Sequence, residues 1–283
     1  MIQIGNVRIH PVSDGVFWAD GGGLFGLVPR VLWEKVVVPD SLNRVPMVLR
    51  CLLIESAGKR ILVDTGYGDK LTDKERNILG LSGEGRLLAD LARLGFRAED
   101  VDIVLNTHLH ADHCGGNTRW NERHEVVPTF PRAEYWVQRL ELADARFPDE
   151  RTRGTYFADN FLPLERAEQL RVIDGDTMVT PELRLEIAPG HTRSHQVVIA
   201  ESLGASAIFL ADAASWAWAL ERLAWVPAYD VEPLVSIQTK KRLARWAIAR
   251  QALLLFQHDP RIVSGRLREE DGRFKVDAEE ILG

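Results

Sequence analysis

Val101-Asp102-Ile103-Val104-Leu105 runs directly into Asn106-Thr107-His108-Leu109-His110-Ala111-Asp112-His113-Cys114-Gly115-Gly116. The first five residues form an apolar run of strand length, and the next stretch puts four metal-ligating side chains into six positions. Neutral imidazole nitrogens and carboxylate oxygens suit zinc and its neighbours, and alternate residues of an extended segment project His108 and His110 to the same side. Adjacent Asp112 and His113 diverge and can serve a second ion. Gly115-Gly116 then lets the chain turn away. A strand that ends in such a loop predicts an α/β fold, in which loops leaving strand ends converge while the sheet stays rigid.

Outward from this run, residues 48–68 read as a strand, a turn at Ala57-Gly58-Lys59, and a second strand over Arg60-Ile61-Leu62-Val63 that ends at Asp64-Thr65-Gly66. Leu87, Leu88, Leu91 and Leu94 share one face at helical spacing, with Gly95 as the stop. The second half repeats this plan. Leu183–Ile187, Gln196–Ala200 and Ala207–Asp212 are strand-like, and a helix from about Ser236 to Gln251 leads into Leu253–His258. Each half has a strand ending in aspartate and a later strand ending in histidine. Asp64 and His108 are 44 positions apart, Asp212 and His258 are 46 apart, and the similar spacing points to a divergent duplication. Two such halves pack sheet to sheet with helices outside, and their strand ends meet at one edge. That edge brings His108, His110, Asp112, His113, Asp212 and His258 together. The expected fold class is α/β, a four-layer αββα sandwich built from two pseudo-symmetric halves.

Between the halves, residues 118–175 mix short patterns, with Ala133–Val137 as a strand and an aromatic-dotted polar stretch up to Leu164. The expectation is an insertion that forms a lid over the site, with Phe147, Tyr156, Phe157 and Phe161 either as lid residues or packed in the core. Gly21-Gly22-Gly23 reads as a tight loop or a flap near the mouth of the site, and Asp271-Gly272 as a hairpin turn.

A chain of 283 residues with 46% hydrophobic content buries a large core. Thirty-five Lys and Arg against 41 Asp and Glu leave a net charge of −6, which argues against a nucleic-acid surface and for a small-molecule substrate. No apolar run reaches membrane-spanning length and none follows a basic start, so the expectation is a cytoplasmic protein without a membrane segment. Cys51 and Cys114 make no disulfide framework; Cys51 reads as core and Cys114 as a small filler beside Gly115. Trp18 and Trp33 lie in an amino-terminal region with no evident core partner, which fits a homodimer interface or pocket walls.

Two further loci carry histidine. Pro189-Gly190-His191-Thr192 follows a strand, and Gly190 permits a backbone path that exposes the imidazole. His195 leads into a strand-like run and reads as support or packing. With these in view the chain resembles the metallo-β-lactamase superfamily, whose His-x-His-x-Asp-His signature, later histidine, bridging aspartate and final histidine have counterparts here in the same order, over roughly residues 48–260. The resemblance implies a single domain over residues 1–283 with the αββα fold. It also implies that His108, His110 and His191 hold one metal, that Asp112, His113 and His258 hold another, and that Asp212 bridges them. Asp64, in the family's Asp-Thr-Gly turn, would orient a ligand histidine.

Within the superfamily the chain is most similar to the branch of acyl-homoserine lactonases and methyl parathion hydrolase, through Asn106–Asn117, Pro189–Thr192 and Phe256-Gln257-His258-Asp259. It departs at one place: those lactonases carry a tyrosine three residues after the bridging aspartate to assist at the substrate carbonyl, and this chain has Ser215 there. Either Tyr229 brings the hydroxyl from another loop, or Trp216 and Trp218 mark an aryl-ester pocket. The implied function is a dinuclear metal-dependent hydrolase of a small ester or lactone, in which a metal-bridging hydroxide attacks, Asp112 shuttles a proton and Asp212 holds both ions. The two divalent ions would be zinc by default, with manganese, iron or cobalt suited to the same ligands. The alternatives are an aryl phosphotriester hydrolase and, in another class, an iron-dependent oxidoreductase on the same fold. No Gly-x-Ser-x-Gly elbow or Gly-rich phosphate loop supports other chemistry.

Overall fold

The computed structural model describes residues 1–82 and 85–280. Its strands are β1 (Ile2–Ile4), β2 (Val7–Asp20), β3 (Arg44–Ser56), β4 (Lys59–Val63), β5 (Ile103–Leu105), β6 (Thr118–Trp120), β7 (Val126–Pro128), β8 (Glu134–Gln138), β9 (Leu170–Ile173), β10 (Thr177–Thr180), β11 (Leu183–Ile187), β12 (Gln196–Ser202), β13 (Ala205–Phe209), β14 (Leu253–Leu255), β15 (Ser264–Glu270) and β16 (Arg273–Glu279). One seven-stranded sheet has the order β1-β2-β3-β4-β5-β8-β9 and the other β10-β11-β12-β13-β14-β15-β16, while β6 and β7 form a separate pair.

Burial along β3 explains its place. Val45, Met47 and Leu49 alternate with less buried neighbours, then Arg50 to Ile54 are all buried, as expected where a strand passes from one covered face to two. The inner faces of the two sheets meet in a core that includes Ile9, Leu52, Ile61 and Val63 from one side and Leu185, Val198, Phe209 and Leu255 from the other. Leu53, Leu62 and Val104 point the opposite way, onto Leu87 and Leu91 of the helix Arg86–Arg93. Leu94 falls just past that helix and is exposed. Ile199, Ile208 and Leu254 likewise pack on Leu243, Ala244 and Ala247 of the helix Pro233–Arg250. These contacts make the four layers, αββα.

The two halves repeat in topology. β3 and β4 are antiparallel and β4 and β5 parallel; β12 and β13 are antiparallel and β13 and β14 parallel. The chain leaves the first parallel pair through Asp64 at φ 56° and the second through Ala211 at φ 43°, left-handed conformations that reverse the backbone sharply at the strand end.

Two expectations are corrected. Residues 118–175 are largely integral to the fold: β8 and β9 extend the first sheet, parallel to β5 and to each other. The strand expected at Ala133–Val137 is β8, whereas the four residues of β9 are too few to show a period. The amino-terminal region does have a core partner. β2 pairs with β3 along most of its length, and Trp33 stacks on Phe25 at 4.7 Å between ring centroids. Gly21-Gly22-Gly23 opens the short helix Gly21–Phe25, with Asp20 capping it through Gly23 N–H. The turn at Asp271-Gly272 joins β15 and β16 as expected, both residues having positive φ. Among the described residues no helix is long and apolar enough to cross a membrane.

Candidate metal centre

All seven candidate ligands lie in segments that leave strands at one edge of the sandwich, Asp112 and His113 within the short helix Ala111–Cys114 and Asp212 within the 3-10 turn Ala211–Ala213. The loop after β5 carries His108, His110, Asp112 and His113, and is clamped to the loop after β4 by backbone bonds from Asp64 N–H to Leu105 O and from Thr65 N–H to His113 O (2.9 and 2.7 Å). The fit needs glycine, because a Cβ on Gly115 would stand 2.2 Å from the Tyr67 carbonyl oxygen. Gly190, at φ 136°, sits so close to Ser236 that a side chain would collide with it, and it hands the chain on to His191.

The ligand atoms form three overlapping groups, each with its atoms within 4.8 Å of one another: His108, His110 and His191; His108, His113 and Asp212; and Asp112, His113 and His258. Asp212 sits between the two histidine sets. Its Oδ2 is 3.2 Å from His191 Nε2 and 3.4 Å from His113 Nε2, and its Oδ1 is 3.1 Å from His258 Nε2. His191 Nε2 and His110 Nδ1 approach to 3.0 Å, His258 Nε2 and His113 Nε2 to 3.3 Å.

The outer nitrogens fix which atoms face inward. His113 Nδ1–H donates to Asp64 Oδ2 (3.0 Å), His191 Nδ1–H to Asp230 Oδ1 (2.8 Å) and His258 Nδ1–H to the Val48 carbonyl (2.8 Å), so each turns an Nε2 lone pair to the centre. Thr107 Oγ1 donates to Asp64 and lies 3.1 Å from His108 Nδ1, leaving His108 Nε2 buried without a hydrogen-bond partner. A buried imidazole nitrogen left without a partner costs free energy unless something binds it. Burial, reinforced by neighbouring imidazoles, holds His108 and His195 well below the ordinary imidazole range and His110 down to about 3, so all three are neutral. Burial opposes a charge on His113 too, but Asp112 and Asp212 outweigh it and raise that group. A centre that concentrates two carboxylates and inward lone pairs in so small a volume fits divalent cations.

Several supporting residues had no sequence signal. Asp230 also accepts from Ser236 Oγ (2.6 Å). Glu141 is fully buried and accepts from Leu109 N–H, Tyr156 Oη and Thr192 Oγ1 (3.0, 3.1 and 2.6 Å), tying the loop after β5 to the turn that carries His191. Arg50, also buried, donates to the carbonyls of Phe256, Gln257 and Asp259 and so holds the turn around His258. Lone acids and an arginine inside a strand have no local spacing to give them away. His195, expected as support or packing, accepts the Asp212 N–H through its Nε2 at 3.1 Å.

The candidate substrate residues divide. Tyr229 is at the centre, its ring 6.4 Å from that of His191. Trp216 and Trp218 are elsewhere: both are buried in the apolar cluster, Trp218 at 4.9 Å from the Phe25 ring and 5.8 Å from Trp225. They are corrected to core residues: Trp218, on helix Ala217–Glu221, packs onto Phe25, and Trp216, just before that helix, packs beside Trp218 at 6.3 Å. The recess that reaches Asp112 is lined instead by Tyr67, Leu71, Ile78, Leu79 and Phe157, with a volume of about 380 Å³. Of the aromatics expected in a lid, Phe157 lines this recess, Tyr156 lies against the His110 ring at 5.0 Å, Phe161 is core and Phe147 is exposed.

Fold and site together define a metal-binding αββα protein. The description of the metallo-beta-lactamase superfamily matches residues 49–215, and the chain belongs to that superfamily. An N-acyl homoserine lactonase of Bacillus cereus is 27% identical over 244 residues, covering 82% of this chain and 89% of that protein. The crystal structure of a probable metal-dependent hydrolase from Staphylococcus aureus is similar with a TM-score of 0.90 and 28% identity, covering 100% of both chains. AidC, a dizinc quorum-quenching lactonase with a bound product, shares the fold at a TM-score of 0.83 and 19% identity, over 100% of this chain and 97% of that one.

Proposed function

We propose that the protein is a dinuclear metal-dependent hydrolase that opens a small ester or lactone of the acyl-homoserine lactone type. The observation that carries this reading is the position of Asp212, with one oxygen facing His191 and His113 and the other facing His258, which suits a carboxylate shared by two ions. His108, His110 and His191 would hold one cation and Asp112, His113 and His258 the other, zinc being the first choice for these donors. When bound, such ions lower the pKa of water to give a nucleophile near neutral pH and polarise the oxygens of the scissile bond.

The chain's own residues do the rest. Asp64, Asp230 and the Val48 carbonyl keep three imidazoles oriented. Asp112, on the wall of the recess, receives the proton lost by the attacking water and passes it to the leaving oxygen. Tyr229 donates a hydrogen bond to the substrate carbonyl, the role for which Ser215 has no phenol. The apolar recess takes the acyl part. The same reading holds the enzyme to be cytoplasmic and a homodimer, the latter supported by exposed Leu27, Val31, Val38 and Leu42.

The test is hydrolysis of a long-chain acyl-homoserine lactone and of an aryl phosphotriester in parallel by metal-loaded protein, with Asp212→Ala as control. Lactone opening that Asp212→Ala abolishes is the expected result. Activity on the phosphotriester alone, or on neither, overturns the reading.

A further inference from the structure

The chain has four tyrosines, and their hydroxyls fall into two kinds. Tyr135 Oη accepts from Phe130 N–H and donates to the Asn117 carbonyl, and Tyr156 Oη donates to Glu141; both are satisfied packing residues. The hydroxyls of Tyr67 and Tyr229 have no hydrogen-bond partner among the described residues. Both border the metal centre, next to different ligands. Tyr229 lies against His191, in the set with His108 and His110. Tyr67 lines the recess beside Ala111 and Asp112, and its ring packs edge-on against Phe17 at 5.4 Å, which in turn packs against His258 at 5.8 Å. Tyr67 therefore belongs to the side of Asp112, His113 and His258.

Tyr67 is also held firmly. The next residue's N–H, on Gly68, donates to Asp14 Oδ2 at 2.8 Å, and the Tyr67 carbonyl is packed against Gly115. Phe17 fixes the ring. A tyrosine phenol is protonated at neutral pH, so each hydroxyl has a hydrogen to donate. A held phenol that lines the recess with Asp112, and whose hydroxyl bonds to no other described residue, is available to an oxygen that arrives with the substrate.

We propose that Tyr67 is a catalytic residue that donates a hydrogen bond to the leaving oxygen of the ester, on the Asp112 side, while Tyr229 serves the carbonyl oxygen on the His191 side. This rests on the ester-hydrolase reading above. In the step concerned the water oxygen bonds to the acyl carbon, the bond from that carbon to the ester oxygen breaks, and the proton from the water reaches the released alkoxide through Asp112. Tyr67 keeps its own proton and stabilises the charge that grows on that oxygen.

An alkoxide needs this help far more than a nitrophenolate does, because its conjugate acid is much weaker. The experiment compares wild type, Tyr67→Phe and Tyr229→Phe, all metal-loaded, on an acyl-homoserine lactone and on a 4-nitrophenyl ester. Tyr67→Phe should lower kcat on the lactone about 100-fold and on the nitrophenyl ester less than about threefold, with KM unchanged. Tyr229→Phe should lower both alike. Calorimetry with the ring-opened N-hexanoyl-homoserine should show its affinity for Tyr67→Phe weakened about tenfold, and metal content and Tm should match wild type. Equal losses on the two esters, or no loss on either, overturn the role of Tyr67 while leaving the hydrolase reading in place. A wild type that cleaves neither ester overturns the hydrolase reading and this role with it.

Discussion

Asp64 Oδ2 lies 3.0 Å from His113 Nδ1, and neither side chain is exposed. The same oxygen accepts from Thr107 Oγ1 and from Gln257 Nε2 (2.8 and 3.1 Å), and Oδ1 accepts the Thr107 N–H at 2.8 Å. One carboxylate thus joins the loops after β4 and β5 to the turn before His258, so that ligands from both halves are oriented by a single group. Removing it frees His113 to rotate and leaves several buried donors unpaired. Asp64→Ala should lower zinc affinity about 10- to 100-fold, read by competition with a chromophoric chelator. Unchanged affinity would show that the imidazole is held by its ligand contacts alone.

Arg50 places a buried guanidinium against three carbonyls of the turn that carries His258. Arg50→Met fills similar space but leaves those acceptors dry. A loss of about 2 to 4 kcal/mol in urea unfolding is expected, together with a lower occupancy of the second metal in stoichiometry measurements. A stability loss with full occupancy would confine Arg50 to the fold.

Trp218 tests the correction to the substrate pocket. Its ring packs with Phe25 and Trp225 in the core, so Trp218→Ala should cost about 3 to 5 kcal/mol and leave KM for lactone and aryl substrates unchanged in whatever fraction remains folded. A selective rise in KM for the aryl substrate would return Trp218 to the pocket.

Asp14 gives a pH signature. It sits at the register shift of β2, nearly fully buried, and burial pushes its carboxyl up to about 6 despite N–H donors from Gly68 and Leu87. Because the folded value lies above the unfolded one, the native state binds the extra proton between pH 3.8 and about 6, and stability from this group falls as pH rises through that window. Asp14→Asn removes the titration. The unfolding free energy of Asp14→Asn minus that of wild type should therefore rise by up to about 3 kcal/mol between pH 4 and pH 7. A difference that does not move with pH would place the Asp14 carboxyl at its ordinary value.

The parts of the molecule that could be read from sequence are those where spacing is itself the physics. His108 to His113 announces a ligand loop because four donors in six positions have few other uses, and the paired Asp64–His108 and Asp212–His258 intervals reappear as the matched parallel pairs β4 with β5 and β13 with β14. Glu141 and Asp230 were invisible because their partners, Leu109, Thr192 and His191, are remote in the chain. A buried carboxylate looks like any surface acid until the fold surrounds it. The strand expected at Ala133–Val137 is β8, but β9 is only four residues long and too short to show alternation, and Trp216 and Trp218 misled because tryptophan near a ligand suits a pocket wall and a core equally well.

Metal-stripped protein titrated with zinc, with bound ions and the rate of lactone opening measured in the same samples, tests the two-cation hydrolase most directly. The expected result is two ions per chain, a rate that reaches its full value only as the second ion binds, and no rate above background for Asp212→Ala at any zinc level. Full activity with one ion bound, or two bound ions and no lactone opening, would contradict it.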